Sequence, residues 1–395
     1  MSDDRPAQVA ELAANFDHND HDMRRECAHV YSTLRGACPV FHSETWGGFW
    51  VASRYEDVYE VGRDPERFAS GEGVLVPPMG HGRPLKPMEA DAPEHSAYRH
   101  LLLPSFAPAQ VVKMETDVRA LAVSLVEQVV ADGQADLYEM LGKPLPLLMI
   151  TLLLGIETDE MFWEATDTLM YGRLSDVGEA AILQAADDLY AFMDRQIERR
   201  RADPGDDLIS LMLTGDVDGR PYRDDEVLDL CCFMLVAGLE NTAFSIRATL
   251  RHLAVNPDHL AAVVADPALV TNLVEQSLRL YAPVTALART VTRDTEVAGQ
   301  SLKAGERILL LFGSANRDGA VFDDPDGFHL DRRDGRHLAF GIGPHRCIGS
   351  HLARLEVRIA VEEFIKRVPE FSLAPGPDPG WYQAGPLNVV WPVTS

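Results

Sequence analysis

Apolar positions recur at helical spacing through most of residues 109–265, and the pattern breaks at Asp132-Gly133, Pro204-Gly205 and Asp218-Gly219. Such pairs favour turns and interrupt a helix. The longest unbroken pattern covers residues 224–255, a helix of about 32 residues closed by Asn256-Pro257, and a further helix is expected over 267–281. The period then shortens: 295–298 and 307–312 read as strands joined by a turn at Lys303-Ala304-Gly305. Near the start, Gly48-Phe49-Trp50-Val51 reads as a strand and 55–61 as a helix, while 70–93 is rich in Gly and Pro and reads as a long irregular loop. A Gly-rich loop over 340–349 leads into a last long helix that carries Arg354 and Arg358. No repeat, low-complexity tract or linker divides the chain. The expected architecture is mainly α with small β-sheets, in a single large unit.

Composition narrows the functional classes. The 395 residues include 36 Lys+Arg and 61 Asp+Glu, a formal charge of −25, with 46% hydrophobic and 25% charged residues. That balance is globular, and its acidity opposes binding to nucleic acid or to anionic membranes. The longest apolar run, 230–239, has about ten residues, half of a membrane span. The polar, acidic first residues carry no targeting pattern, and five unpatterned cysteines (27, 38, 231, 232, 347) suit a reducing compartment, so a cytoplasmic location is expected. His18, His21, Cys27 and His29 read as a solvated helix rather than a metal site.

The chemistry concentrates in Phe340-Gly341-Ile342-Gly343-Pro344-His345-Arg346-Cys347-Ile348-Gly349. Glycines and a proline fix an irregular backbone, and the cysteine stands just before a helix, whose N-terminus favours an anionic sulfur. An isolated Cys is more often a small buried hydrophobe. Zinc is disfavoured, since no second Cys stands at ligand spacing and Cys231-Cys232 are adjacent. In the helix 224–255, Gly238 and Glu240 sit inside Ala237-Gly238-Leu239-Glu240-Asn241-Thr242. A mid-helix Gly costs about 1 kcal/mol, and a carboxylate amid apolar residues needs a partner, water, or a place on a solvent-facing edge.

The cysteine loop, Phe-Gly-x-Gly-x-His-x-Cys-x-Gly, resembles the haem-binding loop of the cytochromes P450 in their soluble bacterial form, and further matches run from about residue 50 to 369. The resemblance implies haem b with Cys347 as axial thiolate, Phe340 beside the sulfur, and Gly341 and Gly349 allowing close backbone approach. It places Ala237 and Gly238 at a groove for dioxygen, with Glu240 as the acid of a proton-delivering pair. Asn241 occupies the alcohol position and Thr242 follows it. Relatives acting on small terpenoids also carry Asn there. His95, Arg99, Arg289 and His345 match contacts to the haem propionates. Arg279 and Arg332 match a structural brace in which Gln276 replaces the usual Glu. Gln gives up the charge-assisted pairing, and Glu275, four residues before Arg279, is a candidate substitute.

By the same resemblance the activity is that of a monooxygenase, inserting one atom of O2 into a small apolar substrate by hydroxylation or O-dealkylation. The substrate pocket is expected from the loop 74–88, Phe233, Ala237, Val284, Leu287 and Leu387. Electrons are expected from a ferredoxin or flavodoxin with an NAD(P)H-dependent reductase. Its docking face is read from the arginines of 345–358, with Arg332, Arg333 and Arg336 nearby. A peroxide-driven peroxygenase is the rival enzyme, opposed by Glu240; a haem-binding sensor is the non-catalytic alternative.

Overall fold

The computed structural model describes residues 5–78, 84–171, 177–217, 219–333, 335–382 and 385–393. The helix Asp224–Val255 runs as one element of 32 residues, with the bounds that the apolar pattern and Asn256-Pro257 predict. Its second half is buried almost without interruption, from Thr242 to Ala254. It therefore serves as the central rod of the main core, against which Pro144–Leu154, Leu269–Tyr281 and Ser350–Arg367 pack. The helices Glu115–Glu127, Glu160–Tyr171 and Glu179–Ala202 complete the helical part.

The β part is a five-stranded sheet in the order Val40–Ser43, Phe49–Ala52, Arg307–Leu310, Leu287–Val291, Phe68–Ala69. Only Phe49–Ala52 and Arg307–Leu310 run parallel. Thr295–Val297 pairs not with Arg307–Leu310 but with Gln300–Leu302, across Ala298-Gly299. Both turn residues have positive φ, 47° and 80°, the backbone that a two-residue hairpin demands. Lys303-Ala304-Gly305 instead turns the chain from that hairpin into Arg307–Leu310, which takes Leu287–Val291 as its partner. A third small sheet joins Gln134–Asp136 to Asn388–Val390 and Ser372–Leu373, tying the chain's end to its helical core. These short strands and the left-handed Gly155 that ends Pro144–Leu154 carry too few residues for the periodicity to reveal them.

The N-terminal segment is less solvated than its polarity implies. Cys27 is 3% exposed inside a second core cluster, and burial holds His18 down to about 4. The break at Asp218 lies outside the described residues, while the neighbouring short strands Asp216–Val217 and Arg220–Pro221 form a hairpin.

Charge clamps link the helices. Arg119 bonds Glu115, Glu362 and Glu363, and Arg358 bonds Glu115 and Glu362, locking Glu115–Glu127 to Ser350–Arg367. Glu275 reaches Arg354 at 2.5 and 3.0 Å and His337 at 3.0 Å. Burial alone would raise the Glu275 pKa, but the bonds from His337 and Arg354 prevail and hold it at about 2, below the ordinary 4.5. A depressed carboxylate contributes stability above its unfolded value and loses it as pH falls toward the folded one, here between 4.5 and about 2. The melting temperature should fall across that window with a contribution of roughly 3 kcal/mol from this group. Glu275→Gln should remove that part of the acid slope; an unchanged slope contradicts the pairing.

Candidate functional site

The cysteine loop is held from both ends. The Cys347 amide donates to the Phe340 carbonyl at 2.8 Å, closing the loop on itself. Gly341 and Gly343 have φ of 67° and 74°, and a Cβ on Gly343 would collide with the Gly62 carbonyl, so the helix Tyr55–Arg63 seats directly against the loop. The Arg354 guanidinium lies 4.3 Å over the Phe340 ring while its nitrogens hold Glu275. Glu275 thus orders the support of the cysteine loop and does not substitute beside Arg279. Cys347 is exposed as a residue, although protein surrounds its thiol closely. That enclosure pushes the thiol pKa up, opposed by the Gly349 amide and by Arg99, Arg346 and Arg354.

Positive groups crowd the same region. His95 is 5% and Arg289 4% exposed, and the rings of His95 and His345 lie 3.9 Å apart. Burial, then Arg99, lowers His95 to about 4; burial, then Arg289 and His95, lowers His345 to about 2; burial lowers Arg289 to about 10 and also lowers Arg99. Among the described residues no carboxylate ion-pairs with Arg99 or Arg289. Asp91, the acidic group that Arg289 and His95 adjoin, gives its two oxygens to the amides of Ser70 and Gly71. Buried Arg289 and half-buried Arg99 have no ion-paired carboxylate and suit an external dianion, while the two imidazoles are held neutral and offer hydrogen bonds only.

On the helix Asp224–Val255, Ala237 is exposed, Phe233, Gly238 and Asn241 are half-buried, and Glu240 keeps surface exposure although protein surrounds its carboxyl, while Leu235, Leu239 and Thr242 are buried. These residues recur at helical spacing and share one open face. No atom lies within 4 Å of a Cβ placed on Gly238, so that face opens onto space rather than onto packing. Burial raises the Glu240 pKa, and Arg24 offsets it in part. Thr242 is 5% exposed and turned into the helix packing, so it does not share the open face with Asn241.

The expected substrate pocket divides. Phe233 stands on the open helix face, and Val284 and Leu287 are half-buried at the edge of the third core cluster. Leu387 is 0% exposed within the main core, so it belongs to packing rather than to a pocket wall. Val74 and Val76 are likewise core residues, with the Val74 carbonyl taking the Ala288 amide at 2.7 Å. In the same loop, residues 79–83 lie outside those described.

The brace is built mostly on backbone. Arg279, 0% exposed, donates to the carbonyls of Asn316, Pro325 and Gly327, and its Nε and Nη2 share Gln276 Oε1 at 3.1 and 3.0 Å. Arg332 does not join this pair; it bonds the carbonyls of Asp323 and Asp324 instead. Sequence spacing shows neither arrangement, because carbonyl direction depends on the folded loop.

These features fit haem: an exposed cysteine at the head of a helix, two arginines that no carboxylate ion-pairs among the described residues, and an open helix face. Comparison with known proteins points the same way. The Cytochrome P450 family matches residues 178–380. The chain is 35% identical to the steroid C26-monooxygenase of Mycolicibacterium smegmatis, over 87% of this chain and 86% of that one. It is 31% identical to the linalool 8-monooxygenase of Pseudomonas putida, over 87% and 89%. The crystal structure of CYP108D1 from Novosphingobium aromaticivorans superposes with a TM-score of 0.85 at 26% identity, covering 98% and 99% of the two chains. The fold is that of a haem-thiolate oxygenase with b-type haem. The chain belongs to the cytochrome P450 family and is a monooxygenase.

The brace gives a direct test. Gln276→Glu supplies the buried Arg279 with a charge-assisted partner worth about 1 kcal/mol more than the neutral bond. The melting temperature should rise by about 2 °C, with slower haem loss; no change in either contradicts the brace.

Proposed function

We propose that Cys347 is the axial thiolate, that His95, Arg99, Arg289 and His345 hold the haem propionates, and that the substrate is a lipophilic isoprenoid, a terpenoid or steroid, hydroxylated at an unactivated carbon. The observation that carries the site assignment is the exposed Cys347 in a region whose Arg99 and Arg289 make no ion pair with a carboxylate among the described residues. The substrate class rests on the names of the steroid- and linalool-oxidising relatives and on the apolar Phe233, Val284 and Leu287.

When bound, haem supplies the dioxygen chemistry. Ala237 and Gly238, neither with a bulky side chain, would leave room for dioxygen there. Glu240, its pKa raised by burial, spends more of its time protonated than an exposed carboxyl and can pass a proton inward from its carboxyl oxygen. The Asn241 amide can donate and accept, so it orders a water but cannot relay a proton as a hydroxyl does. A carboxyl on the chain itself supports electron-driven turnover over the peroxide-driven route.

The ligand test is optical. Small terpenoids and steroids should shift the ferric spin state of the haem-loaded protein saturably, while polar compounds of equal size should not. Glu240→Gln should lower product per electron pair by about tenfold or more, within the range for removal of a general acid, with ligand affinity little changed. Equal responses to polar and apolar compounds contradict the substrate class.

The docking face is narrower than the sequence implies. Arg354 and Arg358 are held in ion pairs, and Arg332 is held by carbonyls. Arg346 is exposed and makes no ion pair among the described residues. Arg63, exposed over the Tyr59 ring, has its backbone against Gly343. Arg333 and Arg336 are also exposed. An acidic ferredoxin or flavodoxin fits this group. Its reduction of the haem protein should slow as ionic strength rises, and Arg346→Glu should slow it at low salt; insensitivity to both contradicts the assignment.

A further inference from the structure

Two hydroxyls follow Asn241 along one face of the long helix, one and two turns on. Ser245 Oγ donates to the Asn241 carbonyl at 2.7 Å. Thr249 Oγ1 lies 2.7 Å from the Ser245 carbonyl and 2.7 Å from Ser277 Oγ. Ser245, Thr249 and Ser277 are 6%, 0% and 2% exposed, so water does not compete for these bonds. Ser277 stands on the helix Leu269–Tyr281, next to Gln276 of the Arg279 brace. Three hydroxyl protons suffice for the three contacts.

A side-chain hydroxyl on the carbonyl four residues back gives that carbonyl a second donor and bends the helix slightly. Two such bonds in succession begin at the carbonyl of Asn241, just beyond the open segment of Ala237 and Gly238. A buried hydroxyl with no other outlet would back-bond in this way without consequence for function. The contact to Ser277 differs, because it fixes the bent segment to a second helix.

We propose that Ser245, Thr249 and Ser277 form a positioning track that sets the direction of the Asn241 amide over the oxygen-binding face, and that ties it to the Gln276–Arg279 brace. This rests on the placement of Asn241 at that face. The track joins the two positions where the sequence departs from the family pattern, Asn241 and Gln276. Ser245, Thr249 and Ser277 act through Asn241 and are not themselves catalytic.

The test uses the haem-loaded protein and the infrared stretch of CO bound to its reduced form, which reports polar groups near the bound gas. Peroxide released per electron pair is the second readout. Asn241→Ala is the reference for the site. Ser245→Ala and Thr249→Val should move the stretch in the direction of Asn241→Ala and raise peroxide release about fivefold, the effect of one lost buried hydrogen bond. Ser245→Thr and Thr249→Ser, which keep the hydroxyl, should restore both. If Ser245→Ala fails to load haem, Ser277→Ala, which breaks only the link between helices, should give the same direction of shift.

An unmoved stretch in Ser245→Ala and Thr249→Val, with Asn241→Ala moving it, overturns the track and leaves the site assignment standing. An unmoved stretch in Asn241→Ala overturns the placement on which the track rests. Hydroxyl-retaining variants that behave like the hydroxyl-free ones also overturn it.

Discussion

The bond from the Cys347 amide to the Phe340 carbonyl closes the loop that presents the sulfur, while Phe340, Ile342 and Ile348 pack it against the core. Nothing in a ten-residue loop of this composition holds that geometry by propensity. It is held from outside, by the Gly62 carbonyl against Gly343 and by Arg354 stacked on Phe340. Arg354 is fixed in turn by Glu275 on another helix. This chain of contacts places the sulfur through protein groups alone, which is the preorganisation a ligating atom needs.

The electrostatics complement that rigidity. Burial lowers the pKa of Arg289, Arg99, His95 and His345, so positive charge at this place is held at a cost. Binding of a dianion relieves it, and the stability of the folded chain is thereby coupled to its cofactor. The long helix follows the opposite logic. Its second half is buried almost throughout, and its open face begins where Ala237, Gly238 and Glu240 interrupt the packing. One element thus serves as core on one side and as the wall of a reaction space on the other.

The sequence made the large elements legible because they obey simple periodicity. The 224–255 helix has its predicted bounds, and the helices around residues 55 and 350 lie where the pattern puts them. The strands near residues 49, 295 and 307 were legible too, but their partners were not, since the pairing of Thr295–Val297 with Gln300–Leu302 depends on turn backbone rather than on side-chain alternation. The cysteine loop and its cationic companions were legible through motif spacing. What motif spacing could not show is how charges are spent: Glu275 serves Arg354 rather than Arg279, and Arg358 is consumed by Glu115 and Glu362. Likewise, Leu387 is apolar and near the chain's end, but only tertiary packing decides that it faces the core. The Tyr55–Arg63 helix seats against a loop some 280 residues away, a proximity no local pattern carries.

The ligation of iron by Cys347 is the claim on which the proton route, the docking face and the hydroxyl track all depend. It is tested most directly by the absorption spectrum of the reduced, CO-bound protein, recorded for the wild type and for Cys347→His. The wild type should show the red-shifted Soret band of a thiolate-ligated haem, and the variant the band of a histidine-ligated one. A histidine-type band in fully folded, freshly reduced wild type, or a thiolate-type band that survives the substitution, would contradict it.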